Sequence, residues 1–384
     1  MQGHGKTRIH VPEMVVLDIL SKLPVKSLER FRCVCKPWCS SFQTPHFITN
    51  HLQNNLKNNN LHILLKRCQF HTQLTYYFSQ LSIDKCHNFS VQHNIHLPFL
   101  EHCRSGPAVS GPCNGLVCLK EDDKVALWNP STREFKILPQ SSVHRPPLAD
   151  FTSFDSLGFG FDSQTDDYKV VRFVTNYFEH KEDVSRIPDW KHQVELYSLK
   201  SDSWKEISAP DVYPYDGPPE FNIYINGCYY WQASGSFYYL FLSFDMVSEK
   251  FSTLALPEFG RFFVGQVLLE FKGLLGVIVY PLLGTDKSFD LWVMDGSWTK
   301  QFSIESVSGV KRPLRFWKDG QLFLETPDHE LVLFDPSKRE LKHLGIHANL
   351  AIYIIAYIEN LVPINGRSEH EEHIVRRPAE DAST

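Results

Sequence analysis

A hairpin pattern recurs along the 384-residue chain and constrains its fold more than any other feature. A bulky residue, usually aromatic, is followed by a short polar turn and, seven positions on, by a second bulky residue. Asp, Asn, Pro and Ser in these turns supply the backbone conformations that tight turns need. The pairs are Trp128/Phe135, Phe161/Tyr168, Tyr197/Trp204, Phe244/Phe251 and Phe334/Leu341, with a shortened version in 293–302. A body built on such hairpins is predicted to be antiparallel β-sheet.

The spacing of the turns predicts how the hairpins assemble. The turn motifs that close successive units begin at 128, 197, 244, 294 and 334, which are 69, 47, 50 and 40 residues apart. Periods of roughly 40–50 residues are typical of β-propeller blades, and a closed ring exposes no sheet edge. The predicted four-stranded units are at about 111–139, 157–207, 221–257, 264–305 and 313–346. Strands in 61–98 and 350–364 together form a closing blade, which gives about six blades. A β-sandwich of the same strands is the alternative.

The first part of the chain has a helical pattern instead. Apolar residues recur at three- and four-residue spacing through 12–52. Pro12 suits a first helical turn, whereas Pro24 and Pro37 are expected to end or bend helices. The pattern predicts three short helices. So small a unit buries too little apolar surface to be stable alone, so we expect it to pack on another surface.

Polar segments mark the boundaries of these two parts. The asparagine-rich stretch 53–60 is interpreted as a linker. Residues 366–384 are charged and lack periodicity, which predicts a disordered tail. The β domain therefore spans 61–365.

Charge differs between the two parts. Residues 1–60 contain eight Lys or Arg and three acids, a net charge of +5. The whole chain carries −5, so residues 61–384 carry −10. Opposite signs point to an acidic partner for the first part and a basic partner for the body. The negative body argues against nucleic acid as a partner.

The sequence also bears on compartment. It contains no apolar run of the roughly 18–20 residues that a membrane helix needs, and its first residues lack the apolar stretch of a secretory signal. Its nine cysteines, an odd number, are interpreted as free thiols. We expect a soluble chain with no membrane partner, in the cytoplasm and with the nucleus as a second compartment.

Motifs of catalysis are missing from the sequence. It has no GxSxG, no Walker-type loop and no HExxH. Several metal-capable residues lack the paired spacing of a zinc site: Cys86, His87, His93, His96, His102 and Cys103. Aspartates recur at turns, where they have a conformational role. We therefore expect no catalytic residue, metal or cofactor; a propeller enzyme with convergent carboxylates remains an alternative.

The helical part and the β body each resemble a known protein family. Residues 11–52 resemble an F-box, through a Pro-Glu opening, ILSKLPVKSL, RFRCVCKPW and a Pro-x-Phe before the closing His-Leu; Val11 stands where the family usually has Leu. The body resembles the plant F-box-associated domain, through GPCNGLVCL, LWNPSTREFKILP, GFGFDSQTDDYKVV, VELYSLKSDSWKEI, LSFDMVSEKF and LWVMDGSWTKQFSI. It is kelch-like in shape only, since the paired glycines of kelch repeats are missing. The segments LWVMD, SWTK and FWKDGQLFL are most similar to the S-locus F-box group.

The resemblance implies a non-catalytic, substrate-recognition subunit of a Skp-cullin-F-box ubiquitin ligase. The F-box would bind the Skp-type adaptor, and cullin through it, while the β domain would bind a protein substrate. The S-locus likeness implies a role in pollen self-incompatibility, with the basic pistil ribonucleases (S-RNases) as substrates. Alternatives are a different plant target in defence or hormone signalling, and a scaffold outside any ligase.

The family pattern also implies which residues make these contacts. Adaptor binding, or its immediate support, is expected from Pro12, Ile19, Leu20, Leu23, Pro24, Leu28, Val34 and Trp38. Substrate contacts are expected in the charged loops 140–155, 176–193 and 209–220.

Overall fold

The computed structural model describes most of the chain. The described ranges are 11–70, 74–84, 88–100, 106–179, 188–215, 222–234, 239–258, 264–350 and 352–365. Several predictions fall outside the described residues: the tail, the centre of the loop 176–193 at 180–187, and the last part of the loop 209–220 at 216–220. Four of the metal-capable residues also lie outside them: Cys86, His87, His102 and Cys103.

Helices occupy the first part of the described chain. They are α1 Glu13–Leu20, α2 Val25–Phe31, α3 Lys36–Ser41 and α4 Pro45–Lys57. Prolines begin these helices rather than end them: Pro24 directly precedes α2, and Pro37 lies in the first turn of α3. A proline is tolerated there because the first-turn N–H groups have no helical partner. We call residues 11–57 the head.

The prediction of three helices and a linker at 53–60 was wrong in one respect. Helix α4 continues to Lys57, so only 58–60 connect the head to the first strand. The side chain of Thr44 caps the helix by accepting a hydrogen bond from the Phe47 N–H at 3.3 Å. The Asn-rich sequence is helical because one side of it is buried, with His51 and Asn55 packed away from solvent.

Three four-stranded sheets form the first half of the β domain. Blade 1 contains β1 Leu61–Phe70, β2 Leu74–Ile83, β3 Phe89–Ile95 and the last strand of the chain, β25 Tyr353–Ile358. Blade 2 contains β4 Ala108–Cys113, β5 Leu116–Glu121, β6 Lys124–Trp128 and β7 Phe135–Ile137. Blade 3 contains β8 Phe151–Asp162, β9 Asp167–Phe178, β10 Asp189–Ser198 and β11 Ser203–Ile207.

Three further sheets complete the ring. Blade 4 contains β12 Tyr213–Pro214, β13 Asn222–Ile225, β14 Cys228–Ser234, β15 Tyr239–Asp245 and β16 Lys250–Ala255. Blade 5 contains β17 Val264–Phe271, β18 Leu274–Pro281, β19 Asp286–Asp295 and β20 Ser297–Ser308. Blade 6 contains β21 Arg312–Phe316, β22 Leu322–Glu325, β23 Glu330–Asp335 and β24 Glu340–His347. Blade 4 has five strands because β12 and β13 both pair with β14.

Six blades and the predicted closure are confirmed. Strand β25 pairs with β1 from Leu61↔Ile358 to Lys66↔Tyr353, so the first and last strands share blade 1. The β-sandwich alternative was wrong, because the six sheets pack around a ring, with clusters of buried side chains between successive sheets. This closure leaves the inner strands without an unpaired edge to the outside.

The hairpin pattern has a direct structural cause. The two bulky residues of each motif are cross-strand partners, as in Trp128↔Phe135 and Phe244↔Phe251. The residue after the first bulky side chain is Asn or Asp in most motifs, and its side chain holds the turn. The Oδ1 of Asp245 accepts the Val247 N–H at 2.9 Å, for example. Side-chain and backbone requirements therefore coincide in one short segment.

The two ends of the ring differ. Strands are counted here in their order within the sheet, so blade 1 begins with β25 and continues with β1, β2 and β3. Because neighbouring strands alternate in direction, the turns between first and second strands and between third and fourth strands lie at one end of the ring. This is also the end at which β1 begins beside the end of β25, so the head lies there. We call it the head end. The turns between second and third strands, and the connections between blades, lie at the opposite, distal end.

Candidate functional site

The head has an apolar core, to which Leu361 from the segment after β25 also contributes. The apolar cluster consists of Leu20, Val25, Leu28, Phe42, Phe47 and Leu361. Two residues predicted to serve the adaptor, Leu20 and Leu28, are therefore buried inside the head. Burial leaves these two side chains unable to contact a partner directly, so they pack inside the head.

Polar contacts fix the head on the propeller. A carboxylate oxygen of Glu359, just after β25, accepts the Val25 N–H at the start of α2 at 3.0 Å. The side-chain amide of Asn55 donates to the backbone oxygen of Glu359 at 3.2 Å.

Within the head, the buried His51 ring contacts the Leu23 carbonyl through Nε2 at 3.0 Å. Burial lowers the pKa of His51, more than the Leu23 hydrogen bond and Glu359 raise it, so the ring is neutral at pH 7.

The same C-terminal segment is attached to blade 2. The side-chain amide of Asn129 donates to the Asn360 side-chain oxygen at 2.7 Å, and both residues are fully buried. The Ile364 N–H donates to a carboxylate oxygen of Glu134 at 3.0 Å. Residues 359–364 thus bind the head on one side and the ring on the other.

Other predicted adaptor residues are at the surface. Ile19 is 55 % exposed and Val34 61 % exposed. Pro12 and Pro24 are exposed, while Leu23 and Trp38 are partly buried; the Trp38 ring packs against Phe31 at 5.9 Å between centroids. The predicted set therefore contains four exposed residues, two partly buried ones and two buried ones.

The predicted adaptor set omits four exposed apolar residues of the head: Val11, Met14 and Val15 near α1, and Leu56 on α4. Val11, Val15 and Ile19 are spaced by four along the chain, so they lie on one side of α1 and its N-terminal approach. That spacing was the available signal. We call Val11, Met14, Val15, Ile19 and Val34 the apolar head surface.

Basic residues accompany this surface. Lys26, Arg30 and Lys36 are exposed and form no ion pair within the described parts of the chain. Lys22 and Arg32 pair with acids of their own helical neighbourhood, Asp18 at 2.7 Å and Glu29 at 2.9 Å. The remaining positive charge suits an acidic partner.

The described parts of the three predicted substrate loops lie at the distal end. Their boundaries cut into strands, however: Phe151–Asp162 is β8, Asp167–Phe178 is β9, and Asp189–Ser198 is β10. The 140–155 prediction therefore reduces to a loop that ends before Phe151. Its first part is fixed on blade 3, where an Arg145 guanidinium nitrogen lies 2.7 Å from a carboxylate oxygen of the buried Glu195.

Large apolar side chains are also exposed at the distal end. They include Leu148, Phe151, Trp190, Tyr239, Leu282, Leu283 and Leu350. The Leu282–Leu283 pair is held outward by Lys287, whose buried ammonium donates to the backbone oxygens of both residues. Burial lowers the pKa of Lys287. Loops that expose paired leucines on an organised base are suited to protein contact.

Acidic residues border the same end. The turn between β5 and β6 places Glu121, Asp122 and Asp123 together. They line a cleft of about 690 Å³ between blades 2 and 3, with 151–154 on its other side. Lys120 also lines this cleft, so its charged lining has two more acidic than basic residues.

Among the described residues, the metal-capable side chains form no metal site. The described part of the chain contains no group of three His, Cys, Asp or Glu residues that could hold a metal ion. His93 instead contacts the Arg133 guanidinium through Nε2 at 2.9 Å. None of the helices in the described ranges is long and apolar enough to cross a membrane.

Comparison with protein families matches both parts of the chain. Residues 11–50 match the F-box domain, and residues 60–337 match the F-box associated beta propeller domain. The chain belongs to the F-box proteins with an associated β-propeller. An F-box implies binding of a Skp-type adaptor within a Skp-cullin-F-box ligase, and F-box proteins are generally non-catalytic subunits of such complexes.

Similar proteins cover most of the length of this F-box protein. F-box protein CPR1 of Arabidopsis thaliana is 30 % identical over 366 residues, which cover 88 % of this chain and 84 % of that protein. An Arabidopsis thaliana F-box/kelch-repeat protein is 29 % identical over 327 residues, covering 79 % and 82 %. A further Arabidopsis thaliana F-box protein is 27 % identical over 399 residues, covering 90 % and 89 %.

Proposed function

We propose that this F-box protein is the substrate-recognition subunit of a Skp-cullin-F-box ubiquitin ligase. The apolar head surface carries the proposal: it stays exposed on a head whose own core is already filled by buried residues. Exposed apolar side chains next to charged ones are typical of protein interfaces. The adaptor is the partner for this surface, and cullin joins through the adaptor.

The fixed head supports a mechanism based on position. Glu359, Asn55 and Leu361 hold the head on one end of the ring, and the distal end faces away from it. A substrate bound at the distal end is thereby kept near the ubiquitin-conjugating enzyme of the complex. Its lysines are modified because their effective concentration is high. In this proposal the chain contributes no reacting residue.

For the substrate, we propose a basic protein and, from the S-locus resemblance, an S-RNase in pollen. The net charge of −10 on residues 61–384 and the acidic cleft at 121–123 support a basic partner, because complementary charge steers association and disfavours wrong partners. The compartment that fits this role is the cytoplasm, with the nucleus as a second location.

Affinity purification of the tagged chain from pollen and from leaf tests the proposal. Mass spectrometry is expected to find a Skp-type adaptor and cullin in both preparations. S-RNases are expected only in the pollen preparation, when the pollen is collected from pollinated styles. Loss of adaptor and cullin would overturn the ligase role and leave a scaffold. Adaptor and cullin with another plant target, in leaf as in pollen, would overturn only the S-RNase assignment.

A further inference from the structure

Three aromatic residues form a row at the distal tip of blade 3. Phe151, Tyr177 and Trp190 are cross-strand neighbours on β8, β9 and β10, so their side chains point to the same side of the sheet. The Phe151 and Tyr177 rings stack at 4.5 Å between centroids with 10° between their planes. Phe151 is nevertheless 48 % exposed and Trp190 57 % exposed. An organised aromatic row at this degree of exposure is suited to contact with a partner.

A polar floor lies below this row. Two residues deeper on each strand and on the same side are Ser153, Thr175 and His192. The hydroxyls of Ser153 and Thr175 donate to the two carboxylate oxygens of Asp155, at 2.6 and 2.5 Å. Two residues of strand span about 6.6 Å, which a lysine or arginine stem can bridge.

The carboxylate of Asp155 lacks a countercharge. No lysine or arginine of the described residues forms an ion pair with it, and its two protein partners are neutral hydroxyls. The nearby His192 contacts the Thr175 hydroxyl through Nδ1 at 2.9 Å. Burial lowers the pKa of His192 by more than Asp155 raises it, so this ring is neutral too at pH 7. The floor therefore carries a net negative charge.

Blade 4 packs against this floor. The Tyr213 ring, on β12, stacks on His192 at 3.6 Å between centroids and meets Phe173 edge-on at 5.5 Å. The Tyr213 hydroxyl is buried and has no hydrogen-bond partner among the described residues. A buried hydroxyl without a partner carries a free-energy cost that a ligand's hydrogen-bonding group would relieve.

We propose that a recess between blades 3 and 4, the interblade recess, is lined by Phe151, Asp155, Tyr177, Trp190 and Tyr213 and binds a cationic side chain, lysine or arginine, of the substrate protein. Aromatic faces attract cations, and the Asp155 carboxylate gives the bound cation an acceptor below the rim. The interpretation of the bound protein as a substrate rests on the proposed function; the chemistry of the recess does not.

Fluorine NMR on the full chain tests the recess. The chain is labelled with 5-fluorotryptophan, and Trp190→Phe assigns its resonance among those of the eight tryptophans. The probes are Ac-Gly-Gly-Arg-Gly-Gly-NH2, its lysine counterpart and the citrulline peptide, which is close to arginine in shape but uncharged. The arginine and lysine peptides are expected to shift the Trp190 resonance, and the citrulline peptide to bind at least tenfold more weakly.

Two variants separate the recess from general charge. Asp155→Asn is expected to weaken arginine-peptide binding at least tenfold, whereas Asp295→Asn, an exposed residue at the head end, leaves it unchanged. Phe151→Ser, on the exposed rim, is expected to weaken binding about threefold and serves if Asp155→Asn does not fold. Equal binding of citrulline and arginine, or unchanged arginine-peptide binding in both Asp155→Asn and Phe151→Ser, would overturn the inference.

Adaptor binding is measured on the same preparations. Peptide binding without adaptor binding would defeat the ligase role and leave the recess standing. Adaptor binding without any shift of the Trp190 resonance would defeat the recess alone.

Discussion

The head end and the distal end of the propeller use the same kinds of residue differently. At the head end, Asp and Asn side chains satisfy short turns, as Asp245 does for Val247 and Asp335 does for Ser337 at 3.0 Å. At the distal end, the connections vary in length and expose apolar side chains such as Leu148 and Leu283. Regular turns make one end a platform for the head. Varied loops leave the other end free to be shaped for recognition.

The largest effect is expected from a substitution outside residues 11–57 that destabilises the packing of the head on the ring. Leu361→Asp places a charge in the head's core, although the residue lies 304 positions beyond Lys57. An unpaired buried charge costs roughly 3 kcal/mol or more. We expect loss of copurification with a Skp-type adaptor and faster amide hydrogen exchange in α1 and α2.

Leu283→Asp is the matched control, since this residue is exposed at the distal end. It is expected to leave adaptor binding and exchange in the head unchanged. Adaptor binding that survives Leu361→Asp would show that the head folds without the C-terminal segment.

Surface changes on the head sharpen the comparison. Ile19→Asp with Val34→Asp removes two exposed apolar contacts without touching the head's core. We expect adaptor affinity to fall at least 100-fold, since two central apolar contacts are each worth about 1.5–3 kcal/mol. The melting temperature should stay within about 2 °C of wild type, as for most surface changes. Titration calorimetry and thermal unfolding measure the two quantities.

Leu148→Asp with Leu283→Asp carries the same added charge at the distal end and is expected to leave adaptor affinity unaltered. If both double variants bind the adaptor as wild type does, the apolar head surface is not its binding site.

The joint between head and ring is expected to show a smaller effect. Glu359→Ala removes the acceptor of the Val25 N–H, and a hydrogen bond to a charged group contributes about 1.5–3 kcal/mol. Faster hydrogen exchange at the start of α2, with unchanged exchange in blades 3 to 5, is the expected result. Glu340→Gln, exposed on β24, is the control. Uniform exchange changes across the ring would contradict a local joint.

The smallest expected effect is on pH dependence. Burial holds the pKa of His51 below its ordinary value of 6.5, so the unfolded chain binds a proton that the folded head does not. Stability contributed by this residue is complete above pH 6.5 and falls as the pH drops through and below that value. His51→Gln is expected to reduce the loss of helical circular dichroism in urea between pH 7.5 and 5.5. An identical loss in both proteins would argue against a neutral buried His51.

The sequence predicts the ring well because its signals are local. Each hairpin motif joins partners seven positions apart, such as Phe244 and Phe251, so turn and pairing are both present in one segment. The closing blade follows from the strands left over at both ends. Helix α4 was missed because its Asn-rich sequence is polar, and its burial depends on contacts such as Asn55 to Glu359.

The functional surfaces are harder to predict because they depend on contacts that are not local in the sequence. Leu20 and Leu28 match a family pattern, but whether they face a partner depends on Leu361 filling the core beside them. The recess joins Asp155, His192 and Tyr213 from two blades, and no local pattern relates them. Contacts between residues that are distant along the chain decide both surfaces.

Hydrogen exchange of the full chain with and without a Skp-type adaptor tests the division between the two ends most directly. We expect the adaptor to slow exchange in 11–38 and to leave exchange in 139–155 and 188–193 unchanged. Slower exchange in the distal segments, or none in 11–38, would contradict this division.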